Sequence, residues 1–114
     1  MVAALNSTAD FDSTLTSNQI VVIDFYATWC GPCKGTIFAI LFLFWATSPK
    51  FEELSHVYTT AKFIKVDVDV LSDVAQKCEI RAMPTFQVYR GGKKVGEVVG
   101  ADIKKLEEVI KANL

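Results

Sequence analysis

At 114 residues the chain is long enough for one domain around one core, and its 51 % hydrophobic content points to a folded globule rather than a disordered chain. A net charge of −1 with both signs interspersed argues against a nucleic-acid partner and against electrostatic attachment to acidic membranes, so partners are chosen by shape. Three cysteines, an odd count, fit a reducing compartment better than a disulfide framework, and the start Met1 to Asn6 shows no basic residue of a signal peptide; together these imply the cytosol.

Residues 2 to 5 are a short apolar run. Ser7 or Thr8 then caps a predicted helix that turns Phe11 and Leu15 inward, with Asp10 near its positive end. Ile20 to Tyr26 reads as a buried strand, apolar and largely β-branched apart from Asp24. That carboxylate either reaches solvent from a strand face or is buried; if buried, its pKa is raised and it can act as a general base near neutrality.

The strand feeds Trp29-Cys30-Gly31-Pro32-Cys33-Lys34, followed by a stretch without Gly or Pro between Thr36 and Ser48, which predicts a strand-to-helix junction. At the first turn of a helix, unpaired N–H groups and the positive end of the macrodipole stabilise the Cys30 thiolate and make it a nucleophile. Cys33 lies one turn further on, close enough for the two sulfurs to cycle between dithiol and an exchangeable disulfide. A structural zinc site is the competing reading of such a pair, but it needs four ligands, and only Cys78 and His56 remain to supply them.

Phe63 to Val68 alternates with charges at Lys65 and Asp67 and predicts a central parallel strand. Leu71, Val74 and Ala75 mark a short helix capped by Ser72, and Cys78 near its end reads as a small buried hydrophobe, with regulatory oxidation as the alternative. Ala82 to Phe86 starts the next strand, where Pro84 is tolerated because no ladder donor is demanded. Phe86 to Tyr89, the Gly91-Gly92 turn and Lys94 to Val99 form a hairpin, and Gly100-Ala101 is read as a close-approach corner. Asp102 caps a last helix whose Ile103, Leu106, Val109 and Ile110 recur at helical spacing and belong to the core.

Four stretches together resemble the thioredoxin family: Val22 to Lys34, Phe63 to Asp69, Val74 to Phe86 with its Met83-Pro84-Thr85, and Gly91 to Ala101. The resemblance covers nearly the whole chain and implies a single α/β domain over residues 1 to 114, with a central mixed sheet of four or five strands flanked by helices. It implies protein-disulfide reduction, with Cys30 as nucleophile, Cys33 as resolving thiol, Asp24 as the base that deprotonates Cys33, and Lys65 as the cation that tunes Asp24. It further implies a cis bond at Pro84 that sets the Met83 backbone opposite Cys30, so that an extended substrate pairs there by strand addition. Trp29, Met83, Pro84 and Gly100 then shape the docking surface, Pro32 between the thiols makes the pair a reductant, and Gly31 supports the site. No cofactor is expected to be bound. By the same resemblance the redox-active disulfide is expected to be reduced with NADPH through a separate thioredoxin reductase; the chain carries neither GxGxxG nor a P-loop of its own.

One stretch departs from the family. Between Lys34 and Pro49, where thioredoxins commonly carry Met-Ile-Ala, this chain runs from Gly35 to Ser48, about eleven residues more, and Ile37 to Ala46 is apolar at every position. Eleven residues make ~1100°, so a lengthened helix keeps its facial phase while sliding its second half ~16 Å along the axis. The run is short of the ~20 residues that span a bilayer. Two readings remain: a contact surface, including a homo-oligomer through residues 37–46, or a variant impaired by the extra residues. The class that competes with the enzyme is accordingly a thioredoxin-like binding module whose redox pair no longer turns over.

Overall fold

The computed structural model describes residues 2–26, 49–81, 84–100 and 102–114. Five strands, β1 (Val2–Ala4), β2 (Ile20–Tyr26), β3 (Lys62–Asp67), β4 (Thr85–Arg90) and β5 (Lys93–Val99), form one sheet in the order β1-β3-β2-β4-β5. The described helices are α1 (Thr8–Ser17), α2 (residues 49–57), α3 (Ser72–Lys77) and α4 (Ile103–Ala112). β1, β3 and β2 are parallel, while β4 and β5 are antiparallel to their neighbours, so the sheet is mixed as expected. The fifth strand is the short apolar run at the start, which pairs Val2 with Phe63 at the sheet edge.

β2 lies between β3 and β4 and is covered on both faces, which is why its sequence, apart from Asp24, is apolar rather than alternating. Ile20 and Val22 face a core shared with Phe51 and Leu54 of α2 and Leu106 and Ile110 of α4. Val21, Ile23 and Phe25 face a second core with Phe11 of α1 and Val74 of α3. Phe51 anchors the first core, its ring centroid 5.3 Å from Phe63 and 5.6 Å from Phe86. By strand periodicity Asp24 follows Ile20 and Val22 onto that first face.

The caps follow local chemistry. The Ser7 side chain accepts from Asp10 N at 3.1 Å, and Asp102 Oδ1 accepts from Lys105 N at 3.0 Å. The expected Ser72 cap is corrected: Leu71 occupies the N-cap of α3 with no side-chain hydrogen bond. Leu71 is buried and its N–H donates to the Asp67 carbonyl at 2.9 Å, so packing and a backbone turn start this helix in place of a hydroxyl.

Gly91 and Gly92 have φ of 61° and 81°, the left-handed conformation that a tight hairpin turn demands. The backbone conformation of Gly100 by itself calls for glycine. Among the described residues a Cβ there would meet nothing within 4 Å, and its φ of 99° lies in the left-handed region that favours glycine. Close approach is seen at Gly96 of β5, where a Cβ would sit 2.3 Å from Val109 Cγ1 of α4.

Candidate active site

Strand register brings several of the residues singled out above to one end of the sheet. β2 runs out at Tyr26 and continues in sequence toward Cys30, while Phe25 near its end lies opposite Thr85, the first residue of β4. Thr85 in turn pairs with Val99, the last residue of β5. Pro84 and Gly100, just beyond these two, are therefore neighbours at that end, and the Gly100 N–H donates to the Pro84 carbonyl at 2.8 Å. Pro84 is buried rather than part of an exposed loop. Trp29, Cys30, Gly31, Pro32, Cys33, Met83 and the apolar stretch 35–48 lie outside the described residues.

Asp24 is the chemically unusual group. It is 4 % exposed, and its Oδ1 has no hydrogen-bond partner among the described residues. Burial pushes its pKa from 3.8 up to about 7, against the opposing pull of the Lys65 ammonium. The parallel register sets Lys65 directly beside Asp24 on β3, while the antiparallel register sets apolar Phe86 on its other side. A carboxyl so placed is half protonated near neutrality, as a base for a thiol requires.

Two members of this neighbourhood escaped the sequence reading. Tyr26 lies on the Asp24 face of β2 and Asp67 on the Lys65 face of β3, because side chains two apart along a strand share a face. The Lys65 Nζ sits over the Tyr26 ring, 5.9 Å from its centroid. The Tyr26 hydroxyl is pushed above its ordinary pKa by burial and then by the Asp67 and Asp24 carboxylates. The i, i+2 spacing from Asp24 was the available signal for Tyr26, but it carries meaning only once the register against β3 is known.

Cys78 is buried, and its Sγ accepts from the Tyr89 hydroxyl at 3.5 Å. Burial pushes its thiol pKa up, the opposite of what a reactive thiol needs.

A sheet of this order, whose central strand carries a buried carboxylate and leads into a CxxC pair, places the chain among the thiol–disulfide oxidoreductases. Comparison with known proteins narrows the class. The family model for thioredoxin matches residues 2–112. Thioredoxin-1 of Schizosaccharomyces pombe is 46 % identical over 114 residues, covering 100 % of both chains. Thioredoxin-1 of Saccharomyces cerevisiae is 43 % identical over 113 residues, covering 99 % of each. Among solved structures, a Plasmodium falciparum thioredoxin superposes with a TM-score of 0.79 at 40 % identity, covering 98 % of this chain and 99 % of that one. The chain belongs to the thioredoxin family. It is a protein-disulfide reductase, and the binding-module alternative is not favoured. No helix among the described residues is long and apolar enough to cross a membrane.

Proposed function

We propose that Cys30 and Cys33 carry the exchange and that Asp24 supplies its base. The Cys30 thiolate attacks one sulfur of a substrate disulfide, forming a mixed disulfide and releasing the other sulfur as a thiolate. Asp24 accepts the proton of Cys33. The Cys33 thiolate then attacks Cys30 Sγ, which releases the second substrate thiolate and leaves a Cys30–Cys33 disulfide. Two electrons pass to the substrate, and the released thiolates take up protons. The observation that supports this most is the buried Asp24 carboxyl, whose Oδ1 has no partner among the described residues, on the strand that leads into the two cysteines.

Trp29, Met83, Pro84 and Gly100 form the docking surface in this reading, Gly31 and Pro32 set the turn between the thiols, and Lys65 tunes Asp24. A separate thioredoxin reductase returns the electrons from NADPH, in the cytosol. The single domain spans residues 1 to 114, and the apolar run 37–46 forms a contact between copies.

Trapping tests the assignment of the thiols. Cys33→Ser mixed with an oxidised protein substrate should accumulate a substrate-linked species that reductant dissolves, whereas Cys30→Ser should not. Equal trapping by both variants would contradict the order of attack.

A further inference from the structure

We infer that Tyr26 is a positioning residue for the exchange reaction: the face of its ring holds the Lys65 ammonium beside Asp24 and so governs how readily that carboxyl takes up and releases a proton. The inference rests on the reading of Asp24 as the base.

Register makes the arrangement. Asp24 pairs with Lys65 and Tyr26 with Asp67 across the parallel β2–β3 ladder, so the four side chains form a quadrilateral on one face of the sheet. Lys65 makes no direct ion pair with Asp24, whose Oδ1 is unpartnered among the described residues, so the ammonium acts across space. Its influence therefore depends on where the end of a flexible four-carbon stem is held. Among the described residues the ammonium lies over the ring of Tyr26, 5.9 Å from centroid to Nζ, within cation–π range.

The other anion of the group, Asp67, bears on the Tyr26 hydroxyl and also braces a turn. Asp67 Oδ1 accepts from Asp69 N at 2.9 Å and from Val70 N at 3.4 Å, in the turn that leads to α3. Phe86, the neighbour of Asp24 on β4, does not titrate. Among the described residues, Lys65, Tyr26 and Asp67 are thus the charged or titratable groups that share the face of Asp24 at this end of the sheet.

The test is the titration of the Asp24 carboxyl, followed by carbon-13 NMR in the reduced full-length protein. Tyr26→Leu, which keeps apolar bulk but removes the ring, should move the midpoint upward by about half a pH unit. Tyr26→Phe, which keeps the ring face, should leave it in place. In a Lys65→Met background, Tyr26→Leu should produce no further rise. An unchanged or lowered midpoint in Tyr26→Leu, the same rise with and without Lys65, or a rise in Tyr26→Phe equal to that in Tyr26→Leu would overturn the inference. The pH dependence of disulfide reduction distinguishes the underlying reading: a carboxyl midpoint that moves while the rate profile stays fixed removes Asp24 as the base but leaves the hold of Tyr26 on Lys65 intact.

Discussion

Asp24 costs the fold stability, and the sign of that cost is testable. Its folded pKa of about 7 lies above the unfolded value of 3.8, so between these values the native state binds more protons than the unfolded chain. Stability contributed by the neutral carboxyl is thus fully present at low pH, declines as pH rises through that window, and levels off above it. Asp24→Asn should therefore raise unfolding free energy by up to about 4 kcal/mol at about pH 8 and change it little at about pH 4, as urea titrations would show. In the proposed reaction Asp24 accepts the Cys33 proton, so the same substitution should slow disulfide reduction at least about tenfold near neutrality, measured with an insulin-type substrate. A variant both less stable at about pH 8 and fully active would contradict the account. Asp24 was legible in the sequence because a carboxylate breaks a β-branched run. Tyr26 was not, since a tyrosine at a strand end looks ordinary until Lys65 is placed above its ring.

Among the elements, β5 and α4 show what pattern reading reaches and what it misses. The stripe Ile103, Leu106, Val109, Ile110 and the Asp102 cap were readable from spacing alone, and in the structure Leu106 and Ile110 are fully buried while Asp102 caps Lys105 N. Gly96 gave no signal, because its role is to admit the Val109 side chain from an element that periodicity cannot place in space. Gly96→Ala should destabilise the fold by about 1–3 kcal/mol, since β-branched Val109 has little rotamer freedom with which to withdraw. Adding Val109→Ala should recover part of that loss, a coupling readable in a double-mutant cycle of thermal unfolding. Two independent, additive losses would mean that the contact does not govern the packing of α4 on β5. The start of α3 illustrates a similar limit: a hydroxyl at a helix start suggests a cap, but burial of Leu71 decides where the turn begins.

For the whole molecule, fold and family were carried by local signals that agree with one another: a continuously apolar central strand, a hairpin with paired glycines, a final amphipathic helix and a CxxC after β2. The chain matches thioredoxins along its full length, and the stretch from Gly35 to Ser48 is the part of its sequence that pattern alone leaves without an assignment. Covering or exposing its large apolar side chains involves on the order of 10 kcal/mol, comparable with the stability of a small domain. A shortened chain carrying Met-Ile-Ala in place of Gly35 to Ser48 should be more soluble and elute as a monomer, while the full chain self-associates, as light scattering on a sizing column would record. Identical elution of the two chains would remove the contact assigned to residues 37–46.

Reduction of protein disulfides by this chain is proposed to run through Cys30 and Cys33. NADPH consumption in the presence of a thioredoxin reductase and a disulfide-bonded protein measures it directly. The account predicts sustained turnover by the full chain, abolished in Cys30→Ser and of comparable rate in the shortened chain. No turnover by the full chain, with activity restored on shortening, would contradict it by showing that the residues of catalysis are present but misplaced.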